Sequence, residues 1–221
     1  MYNITLIYTR HKESGNCNSI VLYNIIEQIK PEIIFEELSY TNFDQCYNQM
    51  SLVTLESRAI KRYIQNHQAK QIPVDTFPLP QYYYEELDRM YNKICNSNTI
   101  HESRVLQNLL KHQSRLEDQY GFQFLNSDVN DRLFEEINLL TEALLNILND
   151  ETLYRIRRLE KEIIERREYE ILKNIYDFSI KNLFNQAIVF IGSGHRRSLM
   201  ALIEQFEKEE NLKLHWMMYN R

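Results

Sequence analysis

Residues 187–199 read AIVFIGSGHRRSL, and this stretch predicts a buried strand, a tight turn and the start of a helix. The run from Ile188 to Ile191 is apolar and rich in β-prone side chains. Gly192 and Gly194 follow it, two of the four glycines in the protein; glycine suits a backbone that turns sharply or approaches another group closely. His195 would then lie at the carboxyl end of a strand, where open α/β sheets bind their ligands.

The composition is that of an ordinary globular protein. The chain has 221 residues, a formal net charge of −5 and 43% hydrophobic residues, enough to bury a substantial core. The acidic balance argues against nucleic-acid binding through bulk charge, and leaves a local basic patch open. The three cysteines, Cys17, Cys46 and Cys95, are far apart and favour a reducing compartment. We expect a cytoplasmic protein with no membrane contact, because the sequence has neither a membrane-span pattern nor a signal-peptide pattern.

The first 80 residues have the spacing of β-α-β units. Apolar, strand-like runs fall at residues 3–9 and 32–38, and a third, shorter one falls at 71–76. Between the first two, Ser19 is predicted to cap a helix over 20–29. A second helix is predicted over about 43–68, and the crossovers should be right-handed.

From about residue 82 to residue 183, apolar residues recur at helical spacing. We therefore divide the chain into an N-terminal part of an α/β core (1–80), an all-helical insertion (81–183) and a C-terminal part of the core (184–221). The last part holds the strand at 187, a helix over 199–209 and a final strand candidate at 212–219. The predicted fold class is α/β, with a mostly parallel β-sheet core, flanking helices and a large all-helical insertion.

The insertion is dense in Glu and Arg over residues 150–173. Such a run is typical of a solvated helix face with i,i+4 ion pairs. A coiled-coil-like hairpin that joins two copies of the chain as a homodimer is the alternative.

Polar residues of metal-ligand or acid–base type follow each predicted parallel strand: His11, the pair Glu36 and Glu37, Asp75 and His195. The carboxyl ends of parallel strands share one edge of the sheet, so these side chains can converge. Two imidazoles with carboxylates form a ligand set suited to Zn²⁺, Mn²⁺, Fe²⁺ or Co²⁺. A divalent ion held there would activate water and polarise a carbonyl.

Structural explanations of the same residues stay open. A histidine at a strand end is often only a hydrogen-bonded turn residue. Glu36 and Glu37 would also complement a helix N-terminus, and Asp75 would also cap the next segment. The two glycines resemble a nucleotide-binding turn, yet position 197 is arginine where that motif needs its third glycine.

Four segments resemble motifs of the TraB/Tiki/erythromycin-esterase-like/ChaN superfamily. The GxxH motif falls at residues 8–11 with Tyr8 in place of glycine, and P-D-V-V-x-x-E falls at 31–37, which selects Glu37 over Glu36. A segment like Arg-Asp-x-x-Met lies at 167–171 with Glu168 and Ile171 as replacements, and residues 192–195 match GxGH fully. The resemblance touches both ends of the chain and, in the insertion, only Arg167.

The resemblance implies an α/β core with a helical insertion and a site of His11, Glu37, Arg167 and His195. Some members of the superfamily cleave peptides with a metal, others cleave esters, and others bind haem. The first hypothesis is therefore a metal-dependent hydrolase of ester or peptide bonds in small-molecule or peptide substrates.

In this hypothesis, His11, Glu37 and His195 bind a divalent ion (Mn, Co, Fe or Zn), with Asp75 as an additional ligand. Glu36 is the general base, and Arg167 stabilises the oxyanion. A version without metal uses the same residues, with Glu37 polarising a histidine that takes a proton from water.

The second hypothesis is a non-catalytic binding or sensing module for an anionic small molecule. Arg10, Arg196 and Arg197 would contact the anion, and the insertion would be the partner surface. A purely structural scaffold is the third hypothesis.

Overall fold

The computed structural model describes residues 2–76, 78–97 and 100–219. Within these ranges a five-stranded sheet forms the centre of the protein, in the order β3-β2-β4-β1-β5. All four strand pairs are parallel, which confirms the α/β fold class. The strands are β1 (Asn3–Thr9), β2 (Ile33–Glu36), β3 (Lys70–Pro73), β4 (Gln186–Gly192) and β5 (His215–Met218).

The strand predicted from residues 187–199 lies at the middle of this sheet. β4 pairs with β1 so that Thr9 lies opposite Gly192, and with β2 so that Glu36 lies opposite Phe190. The three strands therefore end at nearly the same level. The residues that follow them, His11, Glu37 and His195, start from one edge of the sheet.

Strand alternation divides the sheet into two buried faces. Ile33 and Phe35 belong to one core cluster. This cluster also contains side chains from the last two helices of the chain, over residues 151–181 and 196–209. Ile34 belongs to the other cluster, together with Leu22, Ile60 and Phe190. Because side chains alternate, Glu36 points to the face of Ile34, and Glu37 starts towards the opposite face.

The N-terminal helices differ in detail from the prediction. Helix α1 (Ser19–Ile29) is capped by Asn18, whose side chain accepts hydrogen bonds from the N–H groups of Ile20 and Val21, so Ser19 is not the cap. The helix predicted over 43–68 is two helices, α2 (Tyr40–Tyr47) and α3 (Leu55–Ile64). The break occurs because Thr54 and Ser57 form a capping box that starts a new helix.

The insertion consists of α4 (Gln81–Cys95), α5 (His101–Tyr120), α6 (Phe122–Leu125), α7 (Asp128–Leu148) and α8 (Glu151–Lys181). Four of them surround a core of their own, which includes Met90, Leu106, Leu144 and Ile156. The insertion is nevertheless joined to the sheet. The 31 residues of α8 extend over roughly 46 Å, and its second half packs on the sheet through Ile171, Leu172 and Ile175.

After β4, a short 3-10 turn (Ser193–His195) leads into α9 (Arg196–Glu209). This helix therefore starts three residues earlier than predicted. Across the described residues, every helix is either too short or too polar to cross a lipid bilayer.

Candidate active site

The carboxyl ends of four strands open into one cavity of about 440 Å³. His11 follows β1, Glu37 follows β2, Asp75 follows β3 and His195 follows β4. All four line this cavity, and Arg167 of α8 lines it from the insertion. The structure thus brings together five of the residues that the sequence singled out.

Glu37 is held on both oxygens at the bottom of the site. Its Oε2 accepts a hydrogen bond of 2.7 Å from the backbone N–H of Gly192, and its Oε1 accepts one of 2.9 Å from Nη2 of Arg167. Nε2 of His195 lies 3.5 Å from the same Oε1. Burial favours the neutral acid, but these donors and the two cationic neighbours outweigh it and lower the pKa of Glu37 to about 2. Glu37 is therefore ionised at neutral pH.

Gly192 allows this approach. A Cβ atom at this position would lie 3.4 Å from Oε2 of Glu37 and 3.6 Å from Cδ2 of His195. The first separation is at the lower limit of ordinary van der Waals contact, so a side chain at this position would lie directly against the carboxylate.

His195 is held from behind by a buried carboxylate. Its Nδ1 lies 2.7 Å from Oε1 of Glu168, which also accepts a 2.7 Å hydrogen bond from the hydroxyl of Ser198. Glu168 is 3% exposed. Burial favours the neutral imidazole, but Glu168 and Glu37 outweigh it and raise the pKa of His195 to about 9. His195 is therefore an imidazolium at neutral pH.

Arg167 and Asp75 form a two-point ion pair. Nε of Arg167 donates to Oδ1 of Asp75 at 3.1 Å, and Nη2 donates to Oδ2 at 2.6 Å. The bond from Nη2 to Glu37 makes Arg167 a bridge between the two carboxylates. Asp75 thus faces the site, where it positions Arg167.

His11 is the most exposed member of the site, with 61% of its side chain accessible. Its Nδ1 lies 3.5 Å from Oε1 of Glu56, which accepts a 2.6 Å hydrogen bond from the Thr9 hydroxyl. The hydrogen bond to the carboxylate of Glu56 raises the pKa of His11. Each of the two histidines thus has a buried glutamate beside its Nδ1.

The sequence interpretation missed both of these glutamates. Glu168 carried a signal, because it replaces the aspartate of the motif that selected Arg167. Glu56 lies in the first turn of α3 and carried none.

Glu36, expected as the general base, is directed away from the 440 Å³ cavity. It is 2% exposed, and it accepts hydrogen bonds from the Tyr47 hydroxyl at 2.6 Å and from Nε2 of Gln71 at 3.1 Å. Burial raises its pKa to about 7. It lines a separate cavity of about 20 Å³ with His11, Glu37 and Glu56, which has room for about one water molecule.

The three arginines expected to bind an anion are directed towards the insertion. Arg10 pairs with Glu117 of α5, and Arg197 pairs with Glu135 of α7. Arg196 is 5% exposed and pairs with Asp128 and Asp131. Each one neutralises a carboxylate of a helix that packs near the sheet edge, and none of the three lines the 440 Å³ cavity.

The side chains present differ in their fit to a divalent ion. Their donor types fit, since imidazole and carboxylate suit Zn²⁺, Mn²⁺, Fe²⁺ and Co²⁺. Their positions do not. Among residues 2–76, 78–97 and 100–219, no group of three or more His, Cys, Asp or Glu is arranged to hold a metal ion. Arg167 engages both oxygens of Asp75 and one of Glu37, where a metal would bind.

No family model, no curated protein and no solved structure matches this chain. The chemistry of the site therefore has to follow from its own atoms. The site contains the buried carboxylate of Glu37 between Arg167 and His195. Across the same cavity lies His11 with the carboxylate of Glu56.

Proposed function

We propose that this protein hydrolyses ester or amide bonds by acid–base chemistry at the 440 Å³ cavity. One observation carries the proposal. His195 is held between Glu37 and Glu168, and it shares its cavity with Arg167 and His11. Four sequence motifs resemble those of a superfamily in which some members are hydrolases, and this resemblance supports the same class of reaction.

The placement of the charges favours chemistry over a structural role. A buried ion pair contributes little to the stability of a fold, because the loss of hydration offsets the attraction between the charges. Here Glu37, Asp75, Arg167 and His195 are largely buried at the wall of an open cavity at the strand ends. Such a concentration of charged groups in a cleft, with shifted pKa values for Glu37, Arg167 and His195, is typical of an active site.

In the first step, a water molecule between His11 and the substrate attacks the carbonyl carbon. Neutral His11 takes a proton from that water, and Glu56 orients the imidazole through Nδ1. The carbon–oxygen π bond opens, and negative charge develops on the former carbonyl oxygen. Arg167 faces the cavity with 22% of its side chain accessible and stabilises this charge.

In the second step, the tetrahedral intermediate collapses and the bond to the leaving oxygen or nitrogen breaks. His195 donates its proton to the leaving group, which departs as an alcohol or an amine. The proton taken by His11 returns to His195 through solvent, and the products are a carboxylic acid and the alcohol or amine. Glu37 stays ionised throughout and holds Arg167 and His195 in place.

The test measures hydrolysis of short ester and amide substrates by the wild type and by His195→Asn. We expect the variant to lose at least 100-fold in kcat/KM, a typical contribution of general acid–base catalysis. His112→Asn, an exposed position on α5, is the matched control and should retain full activity. Full activity in His195→Asn would exclude the proposal. A small anion that stabilises the wild type and is never consumed would favour the binding module instead.

A further inference from the structure

A second cavity lies behind His195. It has a volume of about 600 Å³ and is lined by α7, α8 and the beginning of α9. We call it the insertion cleft. Its volume falls within the range of about 300–1,000 Å³ that is typical of small-molecule sites.

The insertion cleft meets the active-site cavity at the turn after β4. Gly194 lines both cavities. A Cβ atom there would lie 3.7 Å from the ring of Phe134, so the missing side chain leaves space on the side of the cleft. Glu168, which holds His195 on one side, lines the cleft on the other. The pair of His195 and Glu168 thus lies between the two cavities, and Gly194, which has no side chain, is the residue at which they adjoin.

The lining of the insertion cleft favours an apolar occupant. Phe134, Leu139, Ile164 and Ala201 contribute apolar surface. Most of the charged groups around them already have partners within the protein: Arg157 and Lys161 pair with Glu142, and Arg197 pairs with Glu135. An apolar chain gains from the first set of residues and breaks none of these pairs.

We propose that the insertion cleft binds the apolar arm of the substrate's leaving group. This inference rests on the proposed hydrolysis. His195 donates its proton to the leaving oxygen or nitrogen, so the leaving group lies beside His195 and Gly194, where the cleft begins. The substrate class is therefore an ester or amide of a short acyl group with a long apolar alcohol or amine.

Two isomeric esters test the proposal. Hexyl acetate carries its chain on the leaving group, and ethyl hexanoate carries the same number of carbons with the chain on the acyl side. We expect hexyl acetate to exceed both ethyl hexanoate and ethyl acetate at least tenfold in kcat/KM, since each buried methylene contributes about fourfold. The corresponding amides, N-hexylacetamide and N-ethylhexanamide, are compared in the same way.

Ala201→Trp fills the cleft from an exposed position on α9. It should abolish the preference for hexyl acetate over ethyl hexanoate. Ile180→Trp adds the same ring at a position of α8 that is 60% exposed and outside the cleft, and should keep the preference. If Ala201→Trp does not fold, Leu139→Ser replaces it as the test. Leu139 is 65% exposed, and the substitution reduces the apolar surface of the cleft without adding bulk, so it should weaken the preference for hexyl acetate.

The outcomes separate the two proposals. Hydrolysis of ethyl acetate without a preference for hexyl acetate would overturn the cleft assignment and keep the hydrolase. A preference for ethyl hexanoate would also overturn it. If no ester or amide is hydrolysed, the proposed function fails. The cleft is then tested by thermal unfolding, in which 1-hexanol should stabilise the wild type relative to Ala201→Trp. Equal shifts of the melting temperature on addition of 1-hexanol to the two proteins would overturn the assignment.

Discussion

Nδ1 of His195 lies 2.7 Å from Oε1 of Glu168, and this contact joins the turn after the central strand to the long helix of the insertion. The residue next to Glu168 in α8, Arg167, contacts Glu37 and Asp75 at the ends of two other strands. One turn of α8 therefore organises the side chains that follow three strands. The insertion is part of the site as well as a neighbour of it.

Glu168→Gln should lower the pKa of His195 from about 9, because the imidazolium loses the carboxylate that lies beside its Nδ1. In the pH dependence of kcat/KM, activity rises as His11 loses its proton and falls as His195 loses its own. We expect the alkaline limb to move to lower pH by at least about one unit in this variant. Glu170→Gln, on the same helix, should leave the limb in place. A uniformly lower rate with an unmoved limb would show that Glu168 has a purely structural role.

Glu37→Gln should reduce kcat by roughly 10²–10⁴-fold. The amide keeps the shape of the side chain and can still accept a hydrogen bond from Gly192. It removes the charge that holds Arg167 and His195 in place, while Asp75 keeps its ion pair with Arg167. Glu85→Gln, at an exposed position on α4, is the control. Wild-type turnover in Glu37→Gln would contradict the proposed role.

Glu36 should make the protein less stable as pH rises from about 4.5 to about 7. In the folded state burial raises its pKa from 4.5 to about 7. Between these values the folded state keeps a proton that the unfolded state has lost, so the free energy of unfolding decreases as pH rises. The full effect is about 3 kcal/mol.

Urea unfolding of the wild type and of Glu36→Gln at several pH values measures this slope. The variant cannot ionise at this position, so its stability should depend less on pH in this window. Parallel curves for the two proteins would show that Glu36 does not titrate there.

Asn126→Ala should destabilise the protein by roughly 2–4 kcal/mol. The Asn126 side chain accepts a 2.9 Å hydrogen bond from the Tyr8 N–H and donates a 3.0 Å bond to the Tyr8 carbonyl. The Asn126 side chain thus makes the two backbone hydrogen bonds that a neighbouring strand would make. The pairing of β1 with β5 ends at Leu6, before Tyr8. Asn146→Ala, which loses only an exposed bond to Tyr154, should change stability by less than about 1 kcal/mol. Equal effects of the two variants in urea unfolding would contradict this explanation.

Hydrolysis should persist after dialysis against a chelator, because Arg167 engages the carboxylate oxygens that a divalent ion would need. Elemental analysis of wild type and His195→Ala, purified without chelator or histidine tag, checks this directly. About one equivalent of Mn, Fe, Co or Zn in the wild type and none in the variant would restore the metal-dependent version. Activity that is lost to the chelator and returns with one of these ions would do the same.

Much of the architecture was predictable from local patterns. The five strand positions follow from short apolar runs, and residues after four of the strands converge because parallel strands end at one edge. The motif at residues 31–37 selected Glu37 over Glu36, and the structure agrees, because adjacent residues of a strand point to opposite faces and only Glu37 lines the 440 Å³ cavity. The break between α2 and α3 was missed because the apolar pattern continues across it, whereas the capping box at Thr54 depends on local hydrogen bonds.

The sequence by itself determined the α/β class, the helical insertion and the residues at the strand ends, because these depend on periodicity and on chain order. Tertiary structure alone decided which charges meet. Arg10, Arg196 and Arg197 were expected at the cavity and instead pair with acidic residues of the insertion. Glu56 and Glu168 came to the two histidines from helices distant in sequence. Ion pairs form between side chains that folding brings within a few ångströms, and no local pattern records that proximity.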